Sequence, residues 1–238
     1  MWDFEEGEIL AFDKPLHWTS FDLVAKVRYN LCRKLEKKKL KVGHSGTLDP
    51  LATGVVIICT GKKTKMIETL QYDVKEYIAT LQLGATTPSY DMEKEVDATY
   101  PTEHITRALI DETIPHFVGE QWQVPPMFSA VQINGKRAYD LARKGEQVEL
   151  KPKLLKIDEI EVISFDEEKM QLTIRVVCSK GTYIRALARD IGEKLHSGAY
   201  LTALRRTRVG NTRVEECMTI EQFLALLNEE TNRSNEVR

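Results

Sequence analysis

Along this chain the spacing of apolar positions switches repeatedly between two residues and three to four. Residues 8–12 form a short apolar run stopped by Asp13-Lys14-Pro15, which predicts a strand and a turn. Phe21, Val24, Val27 and Leu31 recur at helical spacing behind Thr19 and Ser20, either of which can cap the helix they predict. Val55-Val56-Ile57-Ile58-Cys59 is an unbroken apolar run of strand length, and 64–70 reads as a short helix. Residues 76–84 alternate, with Tyr77, Ala79, Leu81 and Leu83 on one face, which predicts a strand. A polar loop over 86–100 precedes a helix over 102–117.

The stretch 121–145 is less regular. Pro125-Pro126 interrupts it, Asn134-Gly135 predicts a turn, and 136–144 predicts a short basic helix stopped by Gly145. Residues 154–165 and 170–178 predict a hairpin across Asp166-Glu167-Glu168. Gly181-Thr182-Tyr183 then opens a helix with Ile184, Leu187, Ala188, Ile191 and Leu195 on its buried side, closed by Gly198. Residues 201–209 predict a strand, and Thr219-Ile220-Glu221-Gln222 is a capping box for a last helix carrying Phe223, Leu226 and Leu227. The polar tail from Glu229 is expected to fray.

Hairpins among interleaved helices, without a strict βαβ rhythm, predict an α+β fold: a mixed, largely antiparallel central sheet flanked by helices. One domain over 1–238 is the expectation, with 121–152 as an inserted segment that closes over substrate.

Charge changes this picture locally. The 34 Lys and Arg nearly balance the 36 Asp and Glu, a formal net charge of −2, so bulk composition points to no polyanion. The basic residues are nevertheless clustered. Lys26, Arg28, Arg33, Lys34, Lys37, Lys38, Lys39 and Lys41 face a single acid, Glu36; Lys62, Lys63 and Lys65 follow the apolar run; Arg205, Arg206, Arg208 and Arg213 form a third group. Each cluster alone reads as well as a solvated face; two of them flanking one loop suggest a polyanion docked there. Cys32, Cys59, Cys178 and Cys217 are far apart, no apolar run reaches membrane-spanning length, and the acidic start lacks a signal-peptide pattern, so a reducing cytoplasmic setting is expected.

The loop in question is 43–56, Gly43-His44-Ser45-Gly46-Thr47-Leu48-Asp49-Pro50-Leu51-Ala52-Thr53-Gly54-Val55-Val56. It puts one carboxylate, Asp49, at the mouth of a buried strand. Pro50 restricts both its own φ and the conformation of Asp49. Such a carboxylate is either a turn cap or a catalytic group, and the residues leave both open. Taken alone, Tyr77 reads as an ordinary strand aromatic and Arg185 as a helix-surface residue, and spacing promotes neither.

The run from Gly43 to Gly54 closely resembles the signature of the TruB family of pseudouridine synthases. The likeness extends to Asp13-Lys14-Pro15, Lys75-Glu76-Tyr77, Pro126-Met127-Phe128-Ser129-Ala130 with Lys136 and Tyr139, Cys178-Ser179-Lys180-Gly181-Thr182-Tyr183-Ile184-Arg185, and Leu204-Arg205-Arg206. The resemblance implies the pseudouridine synthase catalytic fold and isomerisation of a uridine in the T loop of tRNA. It implies Asp49 as nucleophile, Tyr77 as the aromatic that stacks on the target base, Arg185 as the cation pairing with the aspartate, and His44 as a residue holding the T loop open. Leu204 would line the pocket, Asp91 would match a loop aspartate, and Lys14, Lys65, Lys180, Tyr183 and Arg206 would contact RNA. Relatives often continue into an RNA-binding PUA domain; the expectation here is a minimal form without one, acting as a monomer with no obligate protein partner, membrane, metal or other cofactor. The chemistry suits these residue types. A carboxylate can add covalently to base or ribose, an arginine keeps it ionised, and an aromatic supports an extruded base. A competing expectation is an RNA-binding or tRNA-folding module in which catalysis is secondary.

Overall fold

The computed structural model describes residues 2–129, 132–133, 136–138 and 150–236, with backbone alone at 132–133, 136–137 and 230–236. In chain order the elements are β1 (Ile9–Lys14), α1 (Ser20–Lys34), β2 (Val42–His44), β3 (Ala52–Thr60), α2 (Ile67–Leu70), β4 (Lys75–Leu83), β5 (Ala85–Thr86), β6 (Ala98–Thr99), α3 (Arg107–Thr113), β7 (Gly119–Gln123), β8 (Gln132–Ile133), β9 (Lys136–Arg137), β10 (Lys153–Asp166), β11 (Gln171–Cys178), α4 (Ile184–Lys194), β12 (Ala199–Val209), β13 (Thr212–Arg213) and α5 (Ile220–Glu236). They form an α+β fold whose sheet pairings are largely antiparallel. The chain divides into two compact units, one made of Met1–Lys75 with Arg205–Arg238, the other of Glu76–Leu204.

In the first unit β3 takes β1 on one side in antiparallel register, from Ile9 opposite Cys59 to Lys14 opposite Gly54, and the end of β12 on the other. The register explains why β3 is an unbroken apolar run, for it is buried on both faces. Gly54 is required where it stands: its φ is +110°, and a Cβ there would lie 2.1 Å from the Arg206 carbonyl oxygen. α1 is capped by Thr19, whose hydroxyl accepts from the Asp22 amide while the Asp22 carboxylate accepts from the Thr19 amide. It buries Leu23, Val24, Val27 and Leu31. Phe21, expected on that face, is exposed instead; in the first turn the inward position belongs to Leu23, one residue before Val24. The box predicted at Thr219 forms with Gln222, and α5 brings Phe223 edge-on to Phe12 with ring centroids 5.3 Å apart. α5 runs on to Glu236, through a polar stretch with no Gly or Pro to stop it.

In the second unit the strand order is β12, β4, β11, β10, β7. β4 alternates as predicted, burying Lys75, Tyr77, Ala79, Leu81 and Leu83. β10 and β11 form the predicted hairpin, from Ile157 opposite Cys178 to Asp166 opposite Gln171. The loop over 86–100 contains a small ladder between β5 and β6, and the helix expected over 102–117 is shorter, α3 followed by a 3-10 turn at Ile114–Phe117 that Pro115 enters at its start. α4 does not end on Gly198. His196 takes the left-handed conformation, φ +54°, while Gly198 lies where a Cβ would come within 2.6 Å of the Tyr100 ring. The predicted turn at Asn134-Gly135 and most of the basic helix over 136–144 lie outside the described residues; Lys136–Arg137 is a strand paired with Gln132–Ile133.

Candidate active site

The Asp49 turn is held through its main chain. The Gly46 and Thr47 carbonyls accept from the Arg206 guanidinium at 3.1 and 3.3 Å, and Leu48 exchanges hydrogen bonds with the Ser20 hydroxyl. The Asp49 carbonyl accepts from the Ala52 amide at 3.0 Å and the Pro50 carbonyl from the His17 amide at 2.8 Å. Each carbonyl from Gly46 to Pro50 thus has a named donor, and the chain before and after Asp49 is fixed by α1, the β1–α1 connection and β12. A third bond from Arg206, to the Val55 carbonyl at 2.6 Å, ties the same guanidinium to β3. The family resemblance singles out Asp49 and implies that Arg206 contacts RNA. The structure buries it, 2% exposed, with its donors committed to backbone oxygens.

Lys14 is placed similarly. It is fully buried at the end of β1, and its ammonium donates to the Trp18 and Pro15 carbonyls at 2.5 and 2.9 Å. Burial pushes its pKa down to about 8; the Asp49 carboxylate opposes the fall and the Arg206 charge adds to it. At neutral pH the ammonium remains mostly charged, so Asp49 sits in the field of a buried cation. His44 is on β2 within the same unit. Burial and then the Arg206 charge hold its imidazole pKa below the ordinary histidine value, against a hydrogen bond with Gly46 that raises it. Its Nδ1 is buried and has no hydrogen-bond partner among the described residues. Lys65 is exposed on the 3-10 turn Gly61–Met66.

The basic clusters are partly tied within the first unit. Lys37 pairs with Glu5, Lys62 with Glu6 at 2.6 Å and Lys63 with Glu8 at 3.9 Å. Arg28 donates to the Val42 carbonyl and Lys34 to the Leu227 carbonyl. Arg205 pairs with Asp13 and also donates to the Thr53 hydroxyl. Lys26, Lys38, Lys39 and Lys41 are exposed on or just after α1.

In the second unit Arg185 stands in the first turn of α4. It is 6% exposed, which settles it as an interior group rather than a surface helix residue. Its Nε lies 3.7 Å from the Asp91 carboxylate, and the guanidinium donates to the Ser89 and Phe128 carbonyls at 3.2 and 2.9 Å. The loop carrying Asp91 is fixed in turn, since its carbonyl accepts from the Thr87 hydroxyl at 2.7 Å and its carboxylate from the Glu93 amide at 2.9 Å. Tyr90 beside it holds a left-handed φ of +60°, unusual for an aromatic residue, and its ring lies under the Arg189 guanidinium. Spacing said nothing of Gln123, which exchanges hydrogen bonds with the Tyr183 amide and carbonyl at 2.9 and 3.2 Å and so fixes the entry to α4. Gly181 supplies the positive φ, +86°, that turns β11 into that helix. Tyr77 is buried on β4, Leu204 and Tyr183 are half-buried, and Lys180 is exposed.

Two well-built local settings emerge, one for a carboxylate and one for an arginine. Among the described residues no group of three or more His, Cys, Asp or Glu is placed to hold a metal ion, and no helix is long and apolar enough to cross a membrane. The arrangement suits covalent or acid–base chemistry by a side-chain carboxylate.

Comparison with known proteins bears on that chemistry. Residues 33–184 match the family model described as TruB family pseudouridylate synthase (N terminal domain), and residues 185–238 the one described as tRNA pseudouridylate synthase B C-terminal domain. The tRNA pseudouridine synthase B of Phocaeicola vulgatus is 68% identical over 221 residues, 93% of each chain. That of Bacteroides fragilis is 65% identical, over 93% of this chain and 94% of the relative. Among solved structures, a chain in the crystal structure of a Cbf5-Nop10-Gar1 complex superimposes with a TM-score of 0.68 at 27% identity, covering 93% of this chain and 54% of that one. A chain in the structure of an H/ACA RNP bound to a substrate RNA containing 2'-deoxyuridine gives a TM-score of 0.64 at 26% identity, over 91% and 52%. This chain therefore spans about half the length of those two solved chains.

Proposed function

From the premise that this chain belongs to the TruB family of pseudouridylate synthases, and so is an enzyme that converts uridine to pseudouridine, we propose that its substrate uridine lies in the T loop of tRNA and that Asp49 is the nucleophile. The observation that carries the assignment is the Asp49 turn, with every carbonyl from Gly46 to Pro50 engaged, two of them by the buried Arg206, and the buried Lys14 ammonium interacting with the carboxylate. A turn cap would need only one such contact. A nucleophile gains from all of them, because reaction requires its oxygen at one position.

The uracil leaves its stack, at a cost of about a few kcal/mol. A carboxylate oxygen of Asp49 adds to the base or to the ribose, the bond between N1 and the ribose breaks, the uracil turns, and a bond from C5 to the ribose forms. C5 gives up its proton, N1 ends protonated, and the carboxylate is regenerated, so no atom or electron is gained or lost. The buried Lys14 ammonium places a positive charge by the Asp49 carboxylate. Tyr77 is the aromatic surface for the extruded base, worth about 1–3 kcal/mol in comparable sites. Arg185, steadied by Asp91, supplies the orienting positive charge, and His44 helps hold the loop open. Lys65, Lys180, Tyr183 and the exposed lysines 38, 39 and 41 meet the RNA, and Leu204 lines the pocket. A tRNA substrate sets the place of action in the cytoplasm.

Incubation with unmodified tRNA tests this reading. Asp49→Asn is expected to bind the RNA and form no pseudouridine; product formation by that variant would overturn the nucleophile, and product at a site outside the T loop would overturn the substrate.

A further inference from the structure

Thr19 and Ser20 are adjacent hydroxyl residues at the start of α1, and the structure gives them unrelated tasks. Thr19 is the cap: its hydroxyl and the Asp22 carboxylate close the capping box. Ser20 is the first helical residue, where a hydroxyl has no capping work left. Its side chain is buried and turned to a segment 28 residues away. There the Leu48 amide donates to Oγ at 2.8 Å while Oγ donates to the Leu48 carbonyl at 3.2 Å. One hydroxyl thus engages both main-chain polar groups of Leu48, the residue immediately before Asp49, and so holds the peptide units on either side of it.

We propose that Ser20 is a positioning residue for the reaction, acting on the Asp49 carboxylate through the Leu48 main chain. The inference rests on Asp49 being the reacting group. A two-way bond restrains Leu48 against rotation as well as displacement, which a single bond would not do. Because Leu48 is buried, 4% exposed, water cannot take over either bond when the hydroxyl is removed. The turn can then relax without α1 or β3 unfolding. A displacement of about 1 Å at a reacting group can cost as much as a hundredfold in rate.

The experiment measures single-turnover pseudouridine formation in unmodified tRNA, RNA affinity and thermal midpoint for the parent, Ser20→Ala, Ser20→Thr and Thr19→Ala. Thr19→Ala removes the neighbouring hydroxyl and weakens α1 without touching Leu48, so it reports what loss of helix stability alone does. Ser20→Ala is expected to lower the single-turnover rate about tenfold to a hundredfold with RNA affinity unchanged. Ser20→Thr, which keeps a hydroxyl, restores most of the rate, and Thr19→Ala stays near the parental rate although its midpoint falls. The proposal is overturned if Ser20→Ala reacts at the parental rate, if its defect lies in affinity, or if Thr19→Ala loses as much rate. Should the alanine variant not fold, Ser20→Cys is read on the same criteria. Loss of activity in Asp49→Asn together with a parental rate in Ser20→Ala would sink this inference alone. Full activity in Asp49→Asn would sink the nucleophile assignment, whatever Ser20 does.

Discussion

The Asp49 turn and the β11–α4 junction solve the same problem in opposite ways. At Asp49 buried side chains hold the backbone: Arg206 and Ser20 reach across from other elements to the carbonyls and the amide around the carboxylate. At Arg185 backbone holds a side chain: the Ser89 and Phe128 carbonyls take the guanidinium, with the Asp91 carboxylate beside it. The choice follows from reach. A carboxylate has a short stem, so its position is set by its main chain. An arginine has a long one, so a fixed helix start does not fix the guanidinium, and its own donors must be engaged.

This contrast predicts where damage falls. The largest effect is expected at Arg185. Arg185→Met leaves the Asp91 carboxylate buried without its cation, which should destabilise the protein by about 3–5 kcal/mol and abolish pseudouridine formation. Chemical denaturation with a parallel activity assay checks both. Arg206→Met should come next, leaving the Gly46, Thr47 and Val55 carbonyls short of a donor at a cost of about 3 kcal/mol. Its remaining folded molecules should be slow rather than dead, because the carboxylate is still present. Should Arg206→Met be more damaging to rate than Arg185→Met, the division between backbone-held and side-chain-held groups fails. Gln123→Leu should cost about 1–2 kcal/mol, because the Tyr183 amide loses its Gln123 acceptor while the carbonyl keeps only the Leu187 amide, again visible as a lower denaturation midpoint.

The smallest effect is pH-dependent and separates the two regions, since it belongs to the Asp49 side. The folded His44 pKa lies below the unfolded one, so the unfolded chain binds more protons in that interval and stability falls as pH drops below about 6.5. Urea unfolding of the parent and of His44→Gln at about pH 7.5 and about pH 5.5 checks it: the parent should lose more on acidification. An equal loss would show that His44 is not held neutral.

What was legible in the sequence were the features that rest on near neighbours. The Thr19 cap, the Thr219–Gln222 box, the alternation of β4 and the β10–β11 hairpin all depend on residues within a few positions, and all form. The Asp49 turn was recognisable for the same reason, as a Gly- and Pro-bracketed carboxylate before a buried run. What holds it was hidden, because Arg206 meets Gly46 across 160 residues and nothing local marks an arginine as interior. Among the basic clusters, proximity misled. Lys37, Lys62 and Lys63 face Glu5, Glu6 and Glu8, acids that stand far from all three in sequence but beside them in the fold. Gly198 misled in another way: a glycine after a helix suggests a C-cap, yet this one is needed for its closeness to Tyr100, and His196 makes the turn. The adjacent hydroxyls at 19 and 20 carried a signal that went unused, since a helix has one N-cap and the second hydroxyl must do something else.

The most direct test of the account is the mapping of pseudouridine in unmodified tRNA after reaction with the parent and with Asp49→Asn at equal RNA occupancy. The account predicts one modified uridine, in the T loop, with the parent and none with the variant. Pseudouridine formed by Asp49→Asn at a rate comparable to the parent would contradict it.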